Sequence, residues 1–480
     1  MERINKFKEI NFGFASAEKE FEELPSLLTD GFFDMKGMVH EITETSKFVC
    51  LGDKGSGKTS LGRHISLMGK SDPMQFDRQL LLEDISYTAF SKIVRGKDEP
   101  EAKYPTAWSW ILLIVVLDML RGDHSIDAEA SVELNRINDI FAGAGLVGSD
   151  NINKIILSAG KKGFSVGVPQ YAQISYESGG RSEIYDIPNH VESFKSLILR
   201  ANTKAKHFII LDGLDDILTK RGRQYDVLGA LIFETQRLNG FFRENGLKIK
   251  IVILCRQDLF TRVSGANKNK IRQNFSIVLD WYHDPNSPGR SMLVELANHR
   301  AKASTGEGSD ILEYFQKGLI DGKRVYHYLL DLTRHRPRDF IVLLSSIQEM
   351  MHKSPIDRTQ ILSGVRKYSQ DYFLPEVMDE LYGFVPQDVL SDLFGEVSKL
   401  KRREFQFFEA KSKIESRFGD GLDIEGIFNV LYDCGAIGNT YKDHRNNKYY
   451  SFKFRNQASK FNSSESIMMH RGLWKALNLA

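Results

Sequence analysis

FVCLGDKGSGKTSL, residues 48–61, decides the fold. An apolar run stops at Gly52, three glycines fall within six residues, and Lys58 and Thr59 open a helical pattern. Gly52, Gly57, Lys58 and Thr59 fit the spacing GxxxxGK followed by Ser or Thr. A strand ending in so bare a turn suits one task, wrapping an anion with backbone N–H groups. Glycines permit the dihedrals and the close approach that this requires. The helix that follows turns its positive N-terminus to the same anion. The spacing therefore predicts a phosphate cradle of Gly52, Asp53, Lys54, Gly55, Ser56, Gly57, Lys58, Thr59 and Ser60. Lys58 is expected to reach the β- and γ-phosphates, and the Thr59 hydroxyl to ligate Mg²⁺.

Such a loop needs a carboxylate at the end of a neighbouring strand. FIILDGLDD, residues 208–216, places Asp212 directly after four apolar residues. Asp212 is assigned to the metal, through water. Asp215 and Asp216 follow within a turn, and Asp216 is favoured over Asp215 to orient or activate the attacking water. A lone acid there would read as a helix cap; three in five residues favour a metal site. VILCRQDLF, residues 252–260, ends a further strand in Arg256. In a parallel sheet that position lies at the ligand-binding carboxyl edge. Arg256 there would sense the γ-phosphate or stabilise transition-state charge; the alternative is an ion pair with Asp258. TRHRPRDF, residues 333–340, crowds Arg334, Arg336 and Arg338 around Pro337. Pro337 suits a first helical turn, where the dipole disfavours cations. The cluster calls for an anion, either a nucleotide phosphate or Asp339 and Asp331.

The chain has 480 residues, enough for two to four domains, with 41% apolar and 27% charged residues. Those fractions are those of a soluble globular protein. A net charge of +2 gives no global field to draw it onto nucleic acid or membrane. Cys50, Cys255 and Cys434 lack metal-site or disulfide spacing, so a reducing compartment and buried thiols are expected. MERINKFKEINFGF, residues 1–14, has no signal-peptide core. AWSWILLIVVLDML, residues 107–120, reads as too short to span a bilayer and carries Asp118, so a buried core helix is expected. These features predict a cytoplasmic protein with no membrane contact.

Apolar runs at 47–52, 78–84, 206–212, 248–255 and 275–281 alternate with helical patterns, which predicts a parallel α/β sheet. The fold class is α/β, a P-loop NTPase core of strand order 5-1-4-3-2 with a helical lid subdomain and a C-terminal winged-helix domain. Residues 1–45 are expected to pack on the core as an N-terminal segment, and 46–284 to form the α/β domain with a hairpin inserted near 163–177. Residues 285–380 would form the lid, and 381–480 the winged helix with one more short helix at HRGLWKALNLA. Gly421 and Gly435 read as helix-ending glycines. The third helix of the winged domain, DIEGIFNVLYD, carries Asp423, Glu425 and Asp433 and no Lys or Arg, an electrostatic error for a groove-reading helix. Residues 399–460 hold thirteen Lys/Arg against eight Asp/Glu, a net of +5. Packing or protein contact is the first reading of this domain; non-specific DNA contact through its wing is the second.

With these residues in view, the chain resembles the signal-transduction (STAND) and initiator-type AAA+ ATPases, and looks most like a bacterial P-loop ATPase family ending in a winged helix. DGLDD is similar to the DGLDE-type strand end of NACHT-like members. FGFASAEKEF and NKNKIRQNFSIVLDW also look like blocks of that bacterial family. The resemblance implies ATP with Mg²⁺ as cofactors, adenine over guanine, Arg256 as a γ-phosphate sensor and Pro337 as a nucleotide contact from the lid. It further implies a nucleotide-dependent switch, a homo-oligomer or an effector protein as partner and, for many relatives, defence against phage. AAA+ ATPases carry glutamate after the metal-side aspartate, where this chain has Gly213, so slow turnover is expected. The competing reading is a nucleotide-tethered DNA-binding or adaptor protein with little turnover. A small-molecule kinase is weakened by the lid and the winged helix.

Overall fold

The computed structural model describes residues 2–82, 85–94, 100–159, 187–214, 223–263, 267–284, 289–306, 308, 310–382 and 384–479. The chain divides into two compact units, 34–279 and 1–33 with 280–480. The hairpin expected near 163–177 lies outside the described residues.

In the first unit, β1 (Val49–Gly52), β2 (Gln75–Leu81), β3 (Lys206–Asp212), β4 (Ile249–Arg256) and β5 (Ser276–Leu279) form one sheet. Its order is β2-β3-β4-β1-β5 and every neighbouring pair is parallel, the expected 5-1-4-3-2 arrangement. Val49 to Leu51, Ile209 to Leu211 and Ile251 to Cys255 are buried. Strands covered on both faces read as unbroken apolar runs, which is why they stand out in the sequence. β2 starts at Gln75, three residues before the expected 78, because its first half, Phe76 apart, is polar and only half-buried. The three cysteines are free and buried.

The helix Pro100–Leu120 has 21 residues, longer than its apolar run. Its Ala102–Leu120 stretch is long and apolar enough to cross a membrane, so the length argument against a span does not hold. Burial replaces it: 78% of the apolar window lies inside the unit. The Trp108 indole donates to the Val227 carbonyl at 2.9 Å, tying this helix to Arg223–Glu244.

In the second unit, the helices Met292–Thr305, Val325–Asp331, Pro337–Glu349 and Arg358–Tyr368 follow a hydrophobic periodicity. The last continues through a π-helical turn, Ser369–Phe373, into Leu374–Leu381, where Pro375 sits in the opening turn. A two-stranded hairpin, β6 (Leu319–Ile320) and β7 (Lys323–Arg324), precedes Val325. The C-terminal part holds the helices Gln387–Ser398, Phe407–Phe418 and Ile424–Asp433. They accompany β8 (Glu404–Gln406), β9 (Ile437–Lys442), β10 (Lys448–Ser451) and β11 (Ser466–Met469) in the order β10-β9-β11-β8. This is a winged helix with two strands, β8 and β11, beyond the expected hairpin. HRGLWKALNLA is not the expected helix: it forms a 3₁₀ turn, Arg471–Leu473, opened by the His470 side chain. Gly472 lies so close to the Leu332 carbonyl that an added Cβ would stand 2.9 Å from its oxygen. The glycine that ends Phe407–Phe418 is Gly419, at φ 75, and not Gly421. Gly435, at φ 80, follows the C-cap Cys434.

The N-terminal segment corrects a second expectation. Residues 1–33 group with 280–480 and not with the α/β unit. Phe7 meets Tyr314 and Phe315 with ring centroids 5.1 and 5.9 Å apart. Gln348 Nε2 donates to the Phe7 and Ile10 carbonyls at 2.6 and 2.8 Å. Arg300 clasps Glu20 at 2.7 and 3.0 Å and also donates to the Phe12 carbonyl. Burial of Phe7, Ile10 and Phe12 is the physical reason the strap docks there. Residues 34–45 go with the α/β unit, where Lys250 Nζ donates to the Thr45 carbonyl at 2.6 Å.

Candidate functional site

The loop between β1 and the helix Lys58–Ser71 is built around its glycines. Gly55 and Gly57 have φ of 78 and 96, the left-handed region that L side chains rarely adopt. Gly57 is the N-cap, and its carbonyl takes the first helical bond from Leu61 N–H at 3.0 Å. The Ser56 N–H donates to the Asp53 carbonyl at 3.1 Å, closing the turn. At Gly52 the constraint is steric: an added Cβ would lie 2.3 Å from Ser56 Oγ and 3.2 Å from Leu279 Cβ. Lys58 is buried, and its Nζ donates to the Gly52 and Asp53 carbonyls at 3.2 and 3.1 Å. The ammonium is thus folded against the loop. Thr59 and Ser60 sit in the first helical turn, half-buried. Lys54 also lies in this loop, half-buried.

β3 lies two strands from β1, with β4 between them. Its last residue, Asp212, is 7% exposed. One carboxylate oxygen accepts from the Gly213 N–H at 2.8 Å, the other from Gln79 Nε2 at 3.1 Å. The buried Cys50 thiol connects the two charges. Burial pushes its pKa up to about 12, while Lys58 pulls it down and Asp212 pushes it further up. Both charges therefore act on one point beneath the loop.

Arg256 ends β4 and is the register partner of Gly52. Its guanidinium binds Asp258 through two hydrogen bonds of 3.0 and 3.1 Å. Burial pushes the Asp258 carboxyl up, but Arg256, the Leu259 N–H and Arg262 together hold it below the usual carboxylate range. Asp215 and Asp216 lie outside the described residues. Pro337 opens the helix Pro337–Glu349 in the helical unit, at the first-turn position its missing N–H suits.

The arginine cluster around Pro337 finds a protein counter-ion. Arg334 is 1% exposed and donates from Nε and Nη2 to the two Asp339 oxygens, each at 2.9 Å. Tyr372 OH adds a bond to Asp339 at 2.9 Å, and the guanidinium stacks 4.8 Å from the Phe373 ring. Arg338 lies 3.7 Å from Glu376. Of the anions weighed for this cluster, Asp339 serves Arg334.

The Thr59 hydroxyl and the Asp212 carboxylate could each offer an oxygen to a magnesium ion. Among the described residues, no group of three or more His, Cys, Asp or Glu is arranged to hold a metal. Magnesium fits so sparse a set, since it takes one or two protein oxygens and fills its shell with water and phosphate. Gln79 is the residue that sequence reasoning misses. A glutamine inside a strand carries no motif, and only the register of β2 on β3 brings it to Asp212.

Residues 291–374 match the family described as the FunZ-associated C-terminal helical domain. No curated protein matches the sequence. Among solved structures, the chain is similar to the Aeropyrum pernix Orc1 protein in complex with DNA. The identity is 13%, the coverage 95% of this chain and 94% of that one, and the TM-score 0.42. It is also similar to Cdc6p from Pyrobaculum aerophilum, with 13% identity, coverage of 91% and 90%, and a TM-score of 0.30. Likeness at that distance lends nothing to the functional reading, which stands on the loop and the carboxylate. Sheet order, loop and strand-end aspartate together define a P-loop α/β fold joined to a helical and winged-helix unit.

Proposed function

We propose that the chain is an ATP-dependent switch that binds ATP with Mg²⁺ and hydrolyses it slowly. The observation that carries this reading is the loop itself. Left-handed Gly55 and Gly57 and a buried Lys58 stand at a helix N-terminus, and a buried carboxylate ends β3, two strands away in the same sheet. In this reading the backbone N–H groups of residues 53–60 hold the phosphates. Lys58 turns from the loop carbonyls to the β- and γ-oxygens. Thr59 and Asp212 hold the cation, which when bound neutralises phosphate charge and polarises the γ-phosphoryl group. Asp216, or Asp215, takes the proton of the attacking water, and Arg256 faces the developing γ-phosphate charge. Gly213, in place of glutamate, leaves the water without its usual base and keeps turnover slow.

The test is direct. Lys58→Ala should abolish ATP binding while the fold stays intact by circular dichroism. Asp216→Asn should retain ATP and lose phosphate release. ATP binding by Lys58→Ala at parent affinity overturns the site. Nucleotide-dependent oligomerisation and a role in phage defence follow the family resemblance. Mass measurement with a non-hydrolysable analogue, and plaque counts with the Lys58→Ala variant, check each.

A second reading, DNA contact through the wing, is favoured by one observation. Tyr441 and Tyr449 are directly opposed on β9 and β10 and stack with centroids 5.5 Å apart, both exposed. Beside them Lys442 is opposite Lys448, whose ammonium pairs with Glu404. Binding of double-stranded DNA that weakens steeply with salt and falls with Lys442→Ala supports it; salt-independent or absent binding removes it.

A further inference from the structure

We infer that Gln79 is a positioning residue that fixes the Asp212 carboxylate for the divalent cation. The inference rests on the reading of Asp212 as the cation-side carboxylate. Gln79 lies on β2 opposite Ile210 of β3. Because side chains alternate along a strand, Ile210 and Asp212 share a face, and Gln79 shares it with them. The 3.1 Å bond from Nε2 to one Asp212 oxygen complements the 2.8 Å bond from Gly213 N–H to the other. With both oxygens anchored, the carboxylate cannot rotate freely.

Space for the carboxamide comes from the loop helix. At Gly62 an added Cβ would lie 3.1 Å from Leu254 Cδ1, 3.2 Å from Ile210 Cγ2 and 3.8 Å from Gln79 Nε2. Gln79 therefore sits where the helix that begins with Lys58 and Thr59 meets the strand that ends in Asp212. Its orientation is fixed, since the reverse placement would set Oε1 against a carboxylate. Oε1 is buried and has no hydrogen-bond partner among the described residues. A buried acceptor left open in this way marks a place for water or ligand. The neutral amide is also the right donor chemically. A Lys or Arg there would compete with the cation for Asp212, and a second acid would repel it.

The experiment measures affinity for a fluorescent ADP by titration, once with excess Mg²⁺ and once in EDTA, and the Mg²⁺ concentration at half-effect. Gln79→Leu should raise that Mg²⁺ concentration about tenfold, as loss of a supporting hydrogen bond does at metal sites. Its affinity in EDTA should stay within about twofold of the parent, given that the phosphate loop is intact. An unchanged Mg²⁺ requirement overturns the inference. Should Gln79→Leu fail to fold, Gln79→Asn, too short to reach Asp212, gives the same two readings. Asp212→Asn separates the two levels. A shift in Asp212→Asn without one in the Gln79 variants sinks this inference alone. No shift in either sinks the reading of Asp212 as well.

Discussion

Gly52 and Arg256 are register partners on adjacent parallel strands, so the arginine leaves the sheet at the level where the phosphate loop begins. Proximity to the loop and engagement with Asp258 pull in different directions. The two-pronged bond to Asp258 holds the guanidinium in place, 13% exposed, while fixing it on an internal anion. If Arg256 acts on the γ-phosphate, Arg256→Ala should slow phosphate release about a hundredfold, as loss of one transition-state donor does. ATP affinity should change little. Asp258→Asn should keep most of the turnover. Turnover of Arg256→Ala at the parent rate would leave Arg256 as an ion-pair partner only.

Gly52→Ala tests the loop by size alone. The new methyl would overlap Ser56 Oγ at 2.3 Å, within a turn that has no slack on the Leu279 side. Expected is a loss of nucleotide affinity of more than about tenfold, equivalent to 1.4 kcal/mol. The collision is with a short side chain, so Gly52→Ala with Ser56→Gly should recover part of the loss. Equal affinities for the single and double variants would mean that the clash is not what disables the loop.

These features differ in how far the sequence discloses them. β1, β3 and β4 are legible because burial on both faces forces long apolar runs, and the loop is legible because φ above zero at Gly55 and Gly57 demands glycine. β2 is blurred by its half-exposed Gln75, Asp77 and Arg78, so its start is misplaced. Gln79 is invisible for another reason: its role comes from register across β2 and β3, a long-range relation no local pattern encodes. The Arg334 counter-ion was within reach as one of two alternatives, but choosing Asp339 needed the helix geometry that closes the pair. In the tail, helical periodicity was real but lost to Gly472 packing under Leu332 and Phe373. The docking of residues 7–20 on the helical unit depends on Arg300 and Gln348, about three hundred positions away in sequence.

That docking makes its own prediction. Arg300 and Glu20 are 5% and 2% exposed and pair through two hydrogen bonds. Removing one member of a buried pair strands the other, at a cost of about 3–5 kcal/mol. Glu20→Gln should therefore lower the urea midpoint of the helical unit and expose residues 7–20 to limited proteolysis. Replacing both, with Arg300→Met and Glu20→Leu, removes the desolvation penalty together with the attraction and should recover much of the loss. A Glu20→Gln protein with parent stability and an uncut N-terminus would show the pair to be incidental.

The helical unit should also lose stability in mild acid, through two buried histidines. His470 accepts the Gly472 N–H on Nδ1 at 3.1 Å, and His335 accepts the His283 N–H on Nδ1 at 3.4 Å. Each ring must be neutral to do so. Burial pulls His335 down to about 4 and His470 to about 3. Arg455 and His283 also disfavour a proton on His335, against Asp331 and Asp339. Arg334, Arg455 and His335 do the same to His470, against Asp339. The unfolded chain takes up these protons near pH 6.5, the folded one only near 4 and 3. Between those limits the unfolded state binds more protons, so stability falls as pH falls. The slope is up to about 1.4 kcal/mol per pH unit for each ring. Asp339 adds its own loss only lower, as pH falls through the unfolded carboxylate range, because Arg334 and Arg336 together hold it far down against burial. Urea unfolding at pH 7 and pH 5, of the parent and of the double variant His335→Asn with His470→Asn, isolates the histidines. The variant should be the weaker at pH 7, and the gap should narrow at pH 5. Parallel losses in the two proteins would assign the acid sensitivity to other groups.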